Sequence, residues 1–142
     1  ASRLRLAMDK FSLGGSSRER VEVRLSDAAD AGDVERWHSA HVVVAAGGFS
    51  GDFEMSILFE ELVAFRDELS QLHRTLTGDA RLQTLEGQLS LRLIGNGRGE
   101  IRLLGKARDN PGMGNTLAFE LVIDQTHLGS TLEELNAVIE AA

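Results

Sequence analysis

The chain has 142 residues, no cysteine and a formal net charge of -7. That length suits one domain, residues 1–142, with enough chain to bury its own core. Without cysteine, disulfides, thiolate metal sites, iron–sulfur clusters and a thiol nucleophile are excluded, and the acidic balance argues against nucleic acid because it repels a phosphate backbone.

No run of 18 apolar residues occurs, so no membrane-spanning helix is expected. The opening residues, ASRLRLAMDKF, have no apolar core of signal-peptide length. A cytoplasmic protein that needs no membrane and no cofactor is the expectation.

The first third reads as strands. Leu4, Leu6 and Met8 alternate with Arg3, Arg5 and Ala7, the pattern of a half-buried strand, and LGGSSRE supplies a turn. Val21, Val23 and Leu25 alternate with Glu22 and Arg24 as a second strand. SDAADAGDVER is a polar connection, and the β-branched HSAHVVVAA is a third strand. After Gly47-Gly48, Phe53, Met55 and Ile57 share one parity and Asp52, Glu54 and Ser56 the other, which makes a fourth strand with one wet face.

Leu58, Leu62, Phe65, Leu69, Leu72 and Leu76 recur at spacings of four and three, predicting an amphipathic helix over Leu58 to Leu76 with Gly78 as its terminating glycine. Strands resume with Ala80, Leu82 and Leu85, then Leu89, Leu91 and Leu93, with a break at Gly87. GNGRG predicts a hairpin because Asn96-Gly97 tolerates positive φ. Ile101, Leu103 and Leu104 follow, KARDNPGMGN reads as a longer loop, and Leu117, Phe119, Leu121 and Ile123 form a final strand. Leu128, Leu132, Leu135, Val138 and Ile139 make a helical stripe, with Ser130/Glu133 or Thr131/Glu134 as its capping box.

No internal repeat stands out. The order ββββ-α-βββ(β)-α with hairpin-length connections predicts an α+β fold. It has a mostly antiparallel sheet of seven or eight strands and two helices on one face.

Chemistry-bearing constellations are few. GNGRGE lies between strands, so no helix N-terminus follows it to hold a phosphate. His38 and His41 point to opposite faces of one strand, which disfavours a shared metal. His73 flanks the first helix's stripe and His127 sits near the last helix's start; both read as local hydrogen-bonding groups. GFSGD lacks the glycine spacing of a nucleophile elbow. Asp52 and Glu54 share a strand face, and Glu60 and Glu61 begin the helix beyond. Paired carboxylates do acid–base work only where burial splits their pKa values, and the sequence shows no cleft. Glu86 and Glu120 fit surface alternation.

The segments GGFSGDFEMSI, FRDELSQLHRTLTGDARLQTLEGQLSLRLIGNGRGEI and LAFELVIDQTHLGSTLEEL resemble the WapI-type bacterial immunity proteins over about Gly47 to Leu135. The more specific parts are Gly48–Gly51, Leu76–Ala80, Glu86 and Asp124–Thr126. The resemblance implies a non-enzymatic protein that binds and neutralises a toxin. It carries no catalytic residues, and it suits Asp124 to cap the final helix or hold the turn before it. A basic toxin facing an acidic immunity protein fits electrostatic steering. Asp52 and Glu54 are the candidate partner-binding residues; no catalytic, metal or cofactor residue is assigned. The alternatives are a homodimeric structural or regulatory domain and a small hydrolase built on the carboxylates and histidines.

Overall fold

The computed structural model describes residues 9–28 and 36–141. The strand expected over Leu4 to Met8 lies outside the described residues. Among them the chain forms β1 (Lys10–Ser16), β2 (Glu19–Ala28), β3 (Trp37–Ala46), β4 (Phe49–Leu58) and α1 (Phe59–Thr75). It continues as β5 (Thr77–Gln83), β6 (Leu89–Asn96), β7 (Glu100–Asn110), β8 (Met113–Asp124) and α2 (Gln125–Ala141).

Every pairing is antiparallel between chain neighbours, in two four-stranded sheets of order β1-β2-β3-β4 and β5-β6-β7-β8. The element order and the α+β class match the expectation, and the strands are shared between two meanders. The division falls at α1, which carries the chain away from β4's sheet before β5 begins.

Several local expectations change. Leu13–Ser16 lie in β1, and the turn shrinks to Ser17-Arg18, because Gly14 (φ +96) takes a bulge that lets the ladder continue. KARDNPGMGN is no loop: β7 runs to Asn110, and only Pro111-Gly112 turn before β8. The left-handed residue ending α1 is Leu76 (φ 61), whose N–H reaches the Leu72 carbonyl; Gly78 already lies in β5. The second helix starts at Gln125, so Ser130, Thr131, Glu133 and Glu134 are interior. Its cap is Asp124, whose Oδ1 accepts the His127 N–H at 2.8 Å. The GNGRG hairpin holds as read: Asn96 Oδ1 accepts the N–H groups of Arg98 and Glu100.

The two halves are topological copies, ββββα followed by ββββα. The buried face of α1 (Leu62, Phe65, Leu69, Leu72) matches that of α2 (Leu128, Thr131, Leu135, Val138) at one constant offset. The same offset carries Phe53, Met55 and Ile57 of β4 onto Phe119, Leu121 and Ile123 of β8. The repeat escapes a search for identical residues because hydrophobic character and spacing are kept while side chains differ.

The helices are exchanged. α1 packs on β5, α2 packs on β1, and the helices touch each other. Each seals the outer edge of the strand it covers. Glu134 Oε1 accepts the Ser12 N–H at 2.9 Å, and Thr131 Oγ1 donates to the Ser12 carbonyl at 2.6 Å. In the equivalent place Glu68 Oε1 accepts the Arg81 N–H at 3.0 Å. An unpaired strand edge invites foreign strands, and these contacts close two of them.

One hydrophobic cluster draws on both sheets and both helices, including Phe11, Val23, Ile57, Phe65, Leu69, Leu93, Leu103 and Leu135. Phe11 and Phe65 meet with tilted rings at 6.3 Å. Each such side chain contributes roughly 1.5–3 kcal/mol by leaving water.

Candidate functional site

The Gly47-Gly48 turn (Gly47 φ +64) joins β3 to β4 in two residues and thereby sets their register. Counting back from it pairs Ala46 with Phe49, Val43 with Asp52 and His41 with Glu54. Alternation then puts Val42, Val44, Met55 and Ile57 in the core and leaves His41, Asp52 and Glu54 on the outer face.

There His41 sits between the two predicted carboxylates. Its Nδ1 lies 2.6 Å from Glu54 Oε1 and its Nε2 3.1 Å from Asp52 Oδ2. The structure thus brings Asp52 and Glu54 together through His41, a residue of the opposite strand that sequence alternation alone does not pair with them. The imidazole pKa is raised, first by the hydrogen bond to Glu54 and then by the charges of Glu54 and Asp52. The side chains of Asp52 and Glu54 are 64% and 73% exposed, so both remain open to a partner.

The same sheet face is sorted by charge. Across β1, β2, β3 and β4 one row reads Lys10, Arg24, His41, Glu54, and the next Ser12, Glu22, Val43, Asp52. Glu22 gathers Arg20 at 3.0 Å, Lys10 at 3.6 Å and Arg24 at 4.0 Å. Cations therefore crowd β1 and β2, and the exposed carboxylates Asp52 and Glu54 stand at β4, the opposite edge of the sheet.

Beside that edge lies a cleft of about 240 Å³ between the β3–β4 and β7–β8 hairpins. Val44, Phe49, Phe53, Ala107 and Leu117 supply its apolar walls, and Asp52 and Asp109 its carboxylates. Asp109 is held ionised chiefly by the Asn115 N–H, 2.8 Å from its Oδ1, with further help from the Asn115 side chain. The flanking hairpin tips expose Phe49 (69%) and Met113 (73%). The cleft sits between equivalent elements of the repeat: Val44 corresponds to Ala107 and Gly51 to Leu117.

The other sequence candidates disperse. His38 points inward as its strand parity required, is buried, and stacks obliquely on Phe59 at 6.4 Å. Burial, and then Arg36, lower its pKa. Glu61 Oε1 accepts the Leu58 N–H at 2.8 Å, an N-terminal cap supplied from within the helix, and its pKa rises mainly through burial. Glu120 is exposed and paired with Arg102 at 3.0 Å; Glu86 lies in the exposed β5–β6 turn. Among the described residues no group of three His, Asp or Glu side chains is arranged to hold a metal ion.

Fold and face together define an α+β protein of two exchanged ββββα halves, whose most organised polar feature is the acidic edge of an exposed sheet. The chain belongs to the WapI-like immunity protein family, whose family model matches residues 12–142. The match takes in β1 to β3, which the sequence resemblance had left aside. No curated protein matches the chain. Among the described residues no helix is long and apolar enough to cross a membrane.

Proposed function

We propose that this protein is a non-enzymatic bacterial immunity protein, acting in the cytoplasm, that neutralises a basic toxin by binding it, and that Asp52 and Glu54 belong to the face that meets the toxin. Family membership carries the class of function. The observation supporting the face is that both carboxylates stand exposed at a sheet edge, held in place by His41 and beside an apolar cleft. An acidic edge raises the encounter rate with a cationic surface and gives the contact its salt dependence.

Calorimetric or surface-based titration against the purified product of the adjacent gene, the candidate toxin, tests the reading. A specific complex is expected. Its association rate is expected to fall about fivefold to tenfold at low salt in the Asp52→Asn/Glu54→Gln double variant. Absence of a complex refutes the immunity role; a complex indifferent to the double variant refutes the face.

A further inference from the structure

Each four-stranded sheet has two outer strands. The outer edges of β1 and β5 are sealed by Glu134 and Thr131 of α2 and by Glu68 of α1. The outer edge of β4 is treated differently. In a two-residue hairpin the residues flanking the turn bond to each other, and every second pair beyond does the same. Phe49, Gly51, Phe53, Met55 and Ile57 therefore bond to β3, while Ser50, Asp52, Glu54 and Ser56 aim their backbone groups outward. Two observations agree with this parity: Phe59 N–H reaches the Arg36 carbonyl at 2.8 Å, and the Glu54 carbonyl accepts Gln88 Nε2 at 3.1 Å from outside the sheet.

Gln88 thus closes the edge at Glu54, and among the described residues nothing closes it nearer the turn. The amides and carbonyls of Ser50 and Asp52 have no partner among the described residues. A Cβ placed on Gly51 would meet nothing within 4 Å, so the space on the core side of this part of the strand is open.

We propose that the β4 edge over Phe49–Phe53 is the docking line for an extended segment of the toxin, which adds to the sheet as a fifth strand. This rests on the immunity reading and specifies how the partner is held. Main-chain bonds to Ser50 and Asp52 supply the attachment, and alternate side chains supply the selection. Residues of one parity in the added segment lie on the core side of the sheet, over the cleft walled by Phe49, Phe53 and Leu117, and are apolar. The cleft holds about 240 Å³, room for one aromatic side chain, since roughly 150 Å³ accommodates a benzene ring. The residue of the other parity opposite Asp52 is a lysine or arginine, because a cross-strand neighbour of a carboxylate is favoured when it is cationic.

Hydrogen exchange on the wild-type protein with and without the adjacent gene's product, the candidate toxin, tests this directly. The amides of Ser50 and Asp52 are expected to gain protection on binding, while those of Gly51 and Phe53, already bonded to β3, change little. Ser50→Pro removes one outward amide without touching the β3–β4 ladder. It is expected to weaken binding at least about tenfold, with thermal stability retained. Ala118→Pro makes the same kind of change on the outer edge of β8 and is expected to leave binding intact.

A complex in which the Ser50 and Asp52 amides exchange as in the free protein overturns the strand assignment alone. No complex with the wild-type chain overturns the immunity reading itself. A self-association that Ser50→Pro abolishes gives the edge to a second copy of this chain and overturns the toxin segment as its occupant.

Discussion

Replacing Glu134 by alanine removes the acceptor that α2 offers to the edge of β1. Its Oε1 takes the Ser12 N–H at 2.9 Å and lies 3.3 Å from the Ser12 hydroxyl, in a part-buried contact that joins residues from opposite ends of the chain. Hydrogen bonds to a charged partner contribute about 1.5–3 kcal/mol, and an amide left unpaired away from water costs a similar amount. Partial solvent access brings the expected loss to about 2 kcal/mol, or roughly 6–8 °C in Tm for a chain of this size. Glu68 makes the equivalent contact to Arg81 at an exposed position. Water replaces it there, and Glu68→Ala is expected to cost only about 0.5 kcal/mol. Urea unfolding followed by circular dichroism gives both values, and hydrogen exchange reports faster exchange at Ser12. If Glu134→Ala falls within about 0.3 kcal/mol of wild type, or Glu68→Ala costs more, the edge-sealing role assigned to α2 is wrong.

Other expectations come from the core and the histidines. Leu69→Ala, at a fully buried position of α1, is expected to cost about 2–5 kcal/mol in the same unfolding assay. Gly95→Ala drives a methyl group into the Leu76 carbonyl, a backbone atom that cannot swing aside; a loss above about 1 kcal/mol is expected, and a neutral result would contradict the close passage of β6 beneath the end of α1. His41 should titrate above its usual range by NMR. Glu54→Gln should bring it down, because the bond to Glu54 is the largest cause of the shift. Since its folded pKa is raised, any stability from this pair is present below pH 6.5 and fades as the pH rises through the folded value. His38 works in the opposite sense: its folded pKa is lowered, so stability is full above pH 6.5 and declines as the unfolded chain takes up the proton below it. His38→Asn should flatten that acid-side decline, as seen in melting temperature against pH.

Much of the fold was readable because the signals are local. Period-two alternation at Val21 to Leu25 and Phe53 to Ile57, and the spacing of Leu62, Phe65, Leu69 and Leu72, each depend on one element meeting one core. The structure departs from local propensity where turn chemistry competes with strand pairing. LGGSS and KARDNPGMGN are rich in turn residues, yet all but Ser17 and Pro111-Gly112 are drawn into strands because their neighbours offer a ladder to extend. Gly78 was the better helix terminator by propensity. Leu76 took the left-handed position because the chain must turn there to begin β5.

The candidate site was half legible. Parity alone set Asp52 and Glu54 on a wet face, and register counted from Gly47-Gly48 already pairs His41 with Glu54. Nothing local says that His41 would reach Asp52 as well, since that depends on the side chain turning diagonally across the sheet.

Taken alone, the sequence determines the class, the element order, the hairpins and which side of each element is apolar, because these follow from backbone geometry and the periodicity of burial. Tertiary structure decides the division into two sheets, the exchange of helices between the halves, and which of the four sheet edges are sealed. Those outcomes depend on contacts such as Glu134 with Ser12 and Glu68 with Arg81, whose partners lie far apart in the chain or across a helix end, and no periodicity encodes such a meeting.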